Sequence, residues 1–183
     1  SMVAWNWLAG TAFSNDASAT SVGTIDSAGE VNTTAGFSVV SYTGTGSAGT
    51  IKHGLSAAPE MLIVKNRDTA RDWMVYHSAL GATKRIWLNY DLAEDSGTAA
   101  SATWNDTAPT STVFSIGNNI HINESGDNYI AYCFANVEGY CKVGSYLGNN
   151  SSDGTFIYTG FRPAWVMIKK YNAAGQWWGI YDS

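Results

Sequence analysis

The strongest constraint on the fold of this chain is an internal repeat, because residues 36–78 recur in altered form as residues 139–183. Pro59 matches Pro163, and each proline precedes a short apolar run that ends in lysine. The offset is 104 at the prolines (163 − 59) and 105 at the final serines (183 − 78), which indicates one small insertion. The other matching segments are residues 61–64 with 165–168, and residues 73–78 with 178–183. Because the copies share proline, apolar strand and tryptophan but not their histidines or cysteines, we predict that the repeat is scaffold.

A second likeness extends the repeat to the N-terminus. Residues 3–9 alternate as a strand does, and they resemble residues 130–136, which precede the second copy. The chain is therefore expected to begin on the closing strand of one repeat and to stop midway through another. Such a strand needs a partner, either from elsewhere in this chain or from another chain.

This pattern divides the chain into three parts that we expect to pack as one globular unit. Residues 1–35 comprise the closing strand of a preceding repeat and a polar linker, which covers residues 10–35. Residues 36–138 form one complete β repeat, and residues 139–183 form the first half of a second.

The spacing of strand signals predicts the fold class. They recur roughly every 8–12 residues with no convincing helical period, which is typical of an all-β, antiparallel two-sheet sandwich of jelly-roll or concanavalin-like type. Residues 60–65 are apolar on both faces, which predicts a central strand. Residues 91–109 are predicted to be a polar loop with a helical turn at residues 92–95, and residues 119–123 to be a strand. The other predicted strands are residues 36–43, 49–53, 72–78, 83–90, 111–116 and 129–136.

Charge and hydropathy limit the partners that the chain can have. The net charge is −5 and the ten Lys plus Arg residues form no cluster, so we expect no nucleic-acid partner. No apolar run reaches the roughly 20 residues of a membrane span, so we expect no membrane partner. Cys133 and Cys141 could face each other across a hairpin. They align with Asn6 and Ser38, however, so free thiols are favoured over a disulfide.

Four features that carry chemistry in other proteins are interpreted as structural. The G-x-G-x-x-G of residues 44–49 leads into a strand and not into a helix that could hold a pyrophosphate, so it predicts a turn. The acidic loop of residues 91–95 could supply paired carboxylates for sugar hydrolysis, but nothing identifies a cleft. Neither that loop nor Asp68 with Asp72 matches a calcium-binding pattern. The histidines lack metal-ligand spacing and are expected to be polar strand residues; they are His53, His77 and His121. We therefore assign no catalytic residue, no cofactor and no metal.

The most informative feature of the composition is its high content of tryptophan and tyrosine, with eight and ten residues. Trp104 lies with Asn105 and Asp106 in a polar stretch outside the repeat, and Trp177 must face away from Trp178 in a regular strand. An exposed indole beside Asn and Asp is the usual chemistry of sugar binding, so Trp104, Asn105, Asp106 and Trp177 are candidate ligand-binding residues. The alternative for Trp104 is that it folds back to cap the sandwich. The tryptophans at repeated positions are expected to lie in the core; they are Trp5, Trp73, Trp165 and Trp178.

Several segments resemble a repeated domain found in virion proteins of marine tailed phages. The segments are AGFSVVSYTGTGSAGTIKHGLSAAPEMLIVKNR, TSTVFSIG, YIAYCFANVEGYCKVGSY and YTGFRPAWVMIKK, and the likeness covers residues 3–183. The resemblance implies a non-enzymatic β-sandwich module of a tail fibre or related appendage, located in the virion and extracellular. Its motifs have no established catalytic residues. In that family the second repeat continues past the equivalent of Ser183.

The same resemblance implies the partners. A structural module of this kind binds either host-surface glycans, with weak contacts multiplied by a homo-oligomer such as a trimer, or other virion proteins. The alternative function is a purely architectural capsid or tail decoration module that binds only protein. A polysaccharide-degrading enzyme is the third function considered.

Overall fold

The computed structural model describes residue 4 and residues 6–182. It is mostly β, with 33% strand and 8% helix, and it contains a multi-strand antiparallel sheet and smaller sheets. The strands are β1 (Thr11–Asn15), β2 (Ser27–Asn32), β3 (Phe37–Thr43), β4 (Gly49–Lys52), β5 (Met61–Asn66), β6 (Met74–His77), β7 (Ile86–Trp87), β8 (Val113–Ile116), β9 (Asn128–Phe134), β10 (Trp165–Ile168) and β11 (Gly179–Asp182). The helices are α1 (Ala17–Thr20), α2 (Thr98–Trp104) and α3 (Ile120–Asn123).

Seven strands form the main antiparallel sheet, in the order β1-β2-β3-β9-β5-β6-β7. Strand β9 lies between β3 and β5, so it joins the two halves of the sheet. Strands β4 and β8 form a separate antiparallel pair, and so do β10 and β11. The prediction of a central strand at residues 60–65 is confirmed, since β5 pairs with a neighbour on each side.

The main sheet buries both of its faces because its central strands are apolar at successive positions. On β5, Leu62 and Val64 point into one hydrophobic cluster, whereas Met61 and Ile63 point into another. The first core lies between the sheet and a layer formed by β4, β8, α2 and α3. The second core covers the opposite face, where the C-terminal part of the chain packs.

The prediction of a polar linker at residues 10–35 is wrong, because this segment forms β1, α1 and β2 and extends the main sheet. Its polar residues have structural roles that composition does not show. The side chain of Asp16 accepts a hydrogen bond from the backbone N–H of Ala19 and so caps α1. Buried Asn15 donates to the carbonyl of Val22. Local hydrogen bonds and strand pairing at the edge of the main sheet therefore hold this polar segment in its fold.

Two further elements differ from the sequence prediction. Residues 119–123 were expected to be a strand but contain helix α3, whose first turn is capped by the Asn119 side chain accepting from the N–H of His121. The predicted loop of residues 91–109 contains α2 and not a helical turn at residues 92–95. Both helices are too short for a helical period to be visible in the sequence.

The repeat predicted from sequence is present in the structure as two hairpins, β5–β6 and β10–β11, with the same strand register. In the first copy, Met61 pairs with His77 and Val64 pairs with Met74. In the second copy, the corresponding pairs are Trp165 with Asp182 and Ile168 with Gly179. The offset is 104 on β10 and 105 on β11, so the inserted residue lies in the turn between them. The two hairpins therefore have the same register.

The copies differ in what precedes these hairpins. In the first copy, β3 and β4 precede β5, and β3 is paired on both sides. In the second copy, all of residues 142–164 are described and none lies in a strand. Within the described part of the chain, no helix is long and apolar enough to cross a membrane.

Candidate functional site

Trp104 is not an exposed sugar-binding residue, so this expectation is wrong. It is the last residue of α2 and is 1% exposed, and its ring lies edge-to-face with Tyr76 at 5.7 Å between centroids. The alternative, in which Trp104 folds back onto the core, is confirmed. Asn105 and Asp106 have left-handed backbone conformations, with φ of 52° and 47°, and their N–H groups donate to the carbonyl of Ser101 at the helix end. These two residues are exposed, but they have no accessible Trp104 ring beside them.

Trp177 is exposed, as the sequence predicts. Its side chain is 65% exposed, whereas Trp178 packs on the second core and donates its indole N–H to the carbonyl of Trp87 at 2.8 Å. Trp177 therefore belongs to the C-terminal hairpin, while Trp104 lies in the first core on the other face of the main sheet. The four candidate ligand-binding residues do not form one site.

The repeated tryptophans lie partly in the core. Trp73 and Trp178 are half-buried and pack on the second core. Trp165 is half-buried, and its ring centroid lies 5.4 Å from that of Trp7. Trp5 lies outside the described residues.

The three histidines have structural environments. His53 is fully buried; its Nε2 lies 3.1 Å from the carbonyl oxygen of Thr110, and its Nδ1 accepts from the N–H of Leu55. Burial lowers the pKa of His53 to about 4, although the Thr110 hydrogen bond opposes the shift. Burial also lowers the pKa of His77 and of His121, the latter against the charge of nearby Asp72. All three imidazoles are therefore neutral in the fold at neutral pH.

Two of the three carboxylates of the acidic loop, Glu94 and Asp95, form ion pairs that hold the loop after β7. Lys84 contacts Glu94 at 2.7 Å, and Arg85 contacts Asp95 at 2.9 Å. Asp68 and Asp72 are likewise engaged, by Asn128 and Asn89 respectively. Across residue 4 and residues 6–182, no group of three or more His, Cys, Asp or Glu side chains is arranged to hold a metal ion.

The two cysteines are free thiols on opposite faces of the main sheet. Cys133 points into the first core and Cys141 packs against the second, so a disulfide between them is not compatible with this sheet. Burial raises the pKa of Cys133 to about 12 and raises that of Cys141 in the same direction.

One shallow polar cleft lies where β1, β2 and β3 meet the start of β9 and the turn after β5. Its volume is about 350 Å³, and its walls include Asp16, Asp26 and Arg67. Asp16 and Asp26 already accept hydrogen bonds from the backbone of α1. The aromatic residues that reach this cleft, Tyr42 and Tyr129, are buried, so the cleft has no exposed ring on which a sugar could stack.

Exposed apolar side chains are concentrated in the second copy of the repeat. Residues that are core in the first copy are exposed at the equivalent positions of the second. The pairs are Phe37 (4% exposed) with Tyr140 (64%), Val75 (0%) with Ile180 (40%), and Tyr76 (3%) with Tyr181 (64%). Other exposed side chains of this segment are Tyr146, Leu147, Phe156, Ile157, Tyr158 and Trp177. We call these nine residues the C-terminal apolar surface.

One protein family matches the chain over its whole length. The family model described as "Domain of unknown function (DUF7483)" matches residues 1–183. The chain belongs to this family. No curated protein and no solved structure matches it. The description of the DUF7483 family assigns no activity, so function has to be inferred from the geometry of the chain.

In this DUF7483 chain, the C-terminal apolar surface is the feature that sequence reasoning missed. The repeat made it reasonable to expect that matching positions are buried in both copies. The difference in burial between the two copies follows from the position of β9. This strand follows the first copy in sequence and fills the gap between β3 and β5. The described residues after 139 contain no strand equivalent to β9.

Proposed function

We propose that this chain is a non-enzymatic structural module of a phage virion, in a tail fibre or related appendage, and that it acts by binding other protein subunits. The observation that carries the protein-binding part is the C-terminal apolar surface, which exposes positions that the first copy buries. Large apolar side chains that are buried in one copy and exposed in the other are the kind that a protein partner can cover. The virion setting and the extracellular location come from the sequence resemblance.

The fold that we propose for this module is a two-sheet sandwich of jelly-roll or concanavalin-like type. The support is the first core, in which the β4–β8 pair packs across one face of the main sheet. The module then presents loops from a rigid scaffold, as binding modules of this type do.

A host-surface glycan is a second candidate partner, and the exposed Trp177 is the observation that favours it. An oligomerised form of the chain should bind to a glycan array, and Trp177→Ala should abolish that binding. Ile120→Ala is the control, because it removes an exposed apolar side chain from α3, which lies in the layer over the first core. Absence of binding by the unaltered chain would exclude the glycan partner and leave the protein-binding function in place.

A polysaccharide-degrading activity has little support, because two of the three carboxylates of the acidic loop, Glu94 and Asp95, are committed to ion pairs with Lys84 and Arg85. Incubation of the chain with host-surface polysaccharide is expected to release no reducing sugar. Release of sugar that is lost in Asp91→Asn would contradict the non-enzymatic proposal.

The virion assignment is tested on purified particles. Mass spectrometry of phage particles separated on a density gradient should detect peptides of this chain at the copy number of a structural protein. Detection only in the lysate, with none in the particles, would contradict the assignment. The protein-binding part is tested separately by sedimentation velocity, in which a Leu147→Ser, Phe156→Ser, Tyr158→Ser variant should associate less with its subunit partners than the unaltered chain.

A further inference from the structure

Two contacts that involve titratable side chains join helix α3 to the segment that leads into β6. The backbone N–H of Asp72 donates to Nδ1 of His121 at 3.3 Å. Beside this hydrogen bond, Nη2 of Arg71 lies 2.9 Å from Oε2 of Glu124, which follows α3. The partners are about 50 residues apart along the chain, with separations of 49 and 53. They therefore connect α3 to the β5–β6 hairpin of the main sheet.

The hydrogen bond from Asp72 determines where a proton can bind on His121. A neutral imidazole has one N–H group and one acceptor nitrogen. Because Nδ1 accepts from the Asp72 N–H, the neutral ring carries its proton on Nε2. A second proton therefore binds at Nδ1 and removes the acceptor that Asp72 uses. Two N–H groups then face each other at the position of the former hydrogen bond.

The charged ring has a different partner close by. Oδ2 of Asp72 lies 3.7 Å from Nδ1 of His121, which is too long for a hydrogen bond. The same carboxylate is anchored, since its Oδ1 accepts from the Asn89 side chain at 2.9 Å. Asn89 is in turn fixed by the N–H of Trp73, which donates to its side-chain carbonyl. Donation from Nδ1–H to Oδ2 therefore requires His121 to move relative to the start of β6.

The charges around His121 act on it in opposite directions. Apart from Asp72, the charged groups near this contact form two ion pairs, Arg71 with Glu124 and Arg85 with Asp95. Helix α2, which contacts the start of α3, contains no charged residue. Burial lowers the pKa of His121 below its ordinary value of 6.5, the Asp72 carboxylate raises it, and the two guanidinium groups lower it. The ring is therefore neutral at pH 7 and becomes charged in mild acid.

Helix α3 also holds the turn between β3 and β4. The side chain of buried Asn123 accepts from the N–H of Thr45 at 2.8 Å and donates to the carbonyl of Ser47 at 2.7 Å. The carbonyl of Asn123 accepts from the N–H of Gly46 at 3.0 Å. The β3–β4 turn, α3 and the β5–β6 turn lie at the same end of the main sheet. A movement of α3 is therefore transmitted to the β3–β4 turn.

We infer that His121 is a pH switch at the contact between α3 and β6, and that it controls the position of α3 and of the β3–β4 turn. The neutral ring accepts from the Asp72 backbone, whereas the protonated ring donates to the Asp72 carboxylate. Both arrangements use Nδ1, so they exclude each other and a proton selects between them. The loops at this end of the sheet then change their arrangement in mild acid. The switch is independent of the partner that the chain binds.

An NMR titration of the chain from pH 7 to pH 4.5 tests the switch. The His121 ring and the Asp72 amide should shift with one common midpoint below pH 6.5, because one proton changes both. At pH 7 the nitrogen chemical shifts of the ring should show the proton on Nε2. An Asp72 amide that does not follow the His121 ring, or a neutral ring with its proton on Nδ1, overturns the inference.

Three variants separate the switch from general effects of acid. His121→Gln retains an acceptor for the Asp72 N–H but cannot become charged, so the Asp72 amide should lose its pH dependence. Asp72→Asn removes the carboxylate and should move the His121 midpoint to lower pH. His77→Gln is the matched control and should leave the Asp72 titration unchanged, because His77 is also half-buried but lies at the other end of β6. An Asp72 amide that titrates in His121→Gln as in the unaltered chain overturns the inference.

Hydrogen exchange measures whether the switch reaches the β3–β4 turn. In the unaltered chain, the Thr45 and Gly46 amides should lose protection relative to the amides of β9 as pH falls through the His121 midpoint. The comparison with β9 removes the contribution of global unfolding. In His121→Gln the relative protection of the two amides should stay constant. Constant protection in the unaltered chain would show that α3 does not move the turn, and would overturn the inferred control of the turn.

Discussion

At the scale of single residues, the polar atoms of buried side chains determine how the chain responds to substitution and to pH. Trp104 contributes one of the largest buried side chains, yet its indole Nε1 has no hydrogen-bond partner within the described structure. His53, by contrast, uses both ring nitrogens, one toward Thr110 and one toward Leu55. The first residue is therefore held by packing and the second by hydrogen bonds, and the two respond differently to substitution and to pH.

Trp104→Ala should lower the free energy of unfolding by about 3–5 kcal/mol, because it leaves a large cavity in the first core. Trp104→Phe should cost less, since it keeps most of the ring and removes the unsatisfied N–H. Trp177→Ala is the matched control and should change stability by no more than about 0.5 kcal/mol, because the side chain is exposed. Urea unfolding followed by tyrosine fluorescence or circular dichroism measures all three. A loss for Trp177→Ala as large as that for Trp104→Ala would contradict the placement of these rings.

His53 should make the fold sensitive to mild acid. Its folded pKa of about 4 lies below the ordinary value of 6.5, so the unfolded chain binds the proton first as pH falls. Stability is complete above pH 6.5 and decreases between pH 6.5 and about 4, by up to about 3 kcal/mol. Urea unfolding at pH 7 and pH 4.5 should show a smaller difference in His53→Gln than in the unaltered chain. His121→Gln, the control, should retain most of the difference. The same pH dependence in His53→Gln and in the unaltered chain would show that another group is responsible.

At the scale of elements, the sequence predicted the strands that belong to the repeat. It did not predict the elements that depend on local hydrogen bonds. The β10–β11 hairpin follows from its likeness to β5–β6, because the matching apolar runs and the proline before each of them specify strand and register together. Helix α3 does not follow, because Ile120 and Ile122 alternate as they would in a strand, and the Asn119 cap decides otherwise. The burial of Trp104 was one of two alternatives in the sequence, and sequence alone could not name its partner Tyr76, which is distant along the chain.

Gly117 should be the residue that fixes how α2 packs on β8. A Cβ atom at this position would overlap the carbonyl oxygen of Ala102, and the Gly117 N–H donates to the carbonyl of Thr103 at 2.9 Å. Gly117→Ala therefore forces helix and strand apart, and we expect a loss of about 1–3 kcal/mol in the free energy of unfolding. Gly148→Ala is the matched control, because nothing lies within 4 Å of the added methyl group. Equal stability of the two variants would mean that α2 does not pack on β8 in this way.

At the scale of the whole molecule, the first copy of the repeat is integrated into the main sheet, whereas residues 142–164 of the second copy contain no strand. Strand β9 inserts between β3 and β5 and unites residues that are far apart in sequence, so the main sheet is expected to unfold as one cooperative unit. The segment of residues 142–164 has no strand and exposes Leu147, Phe156 and Tyr158. Resistance to local opening should therefore be unevenly distributed along the chain.

Limited proteolysis with chymotrypsin should detect this difference, because the enzyme cleaves after large apolar residues in segments that open locally. The first cuts should follow Leu147, Phe156 and Tyr158, which are exposed and outside any strand. Tyr129 and Phe134 offer the same chemistry, but they lie in β9 at the centre of the sheet and should resist until the protein unfolds. Mass spectrometry of the early products gives the sites directly. Early cleavage in β9 would contradict its central position.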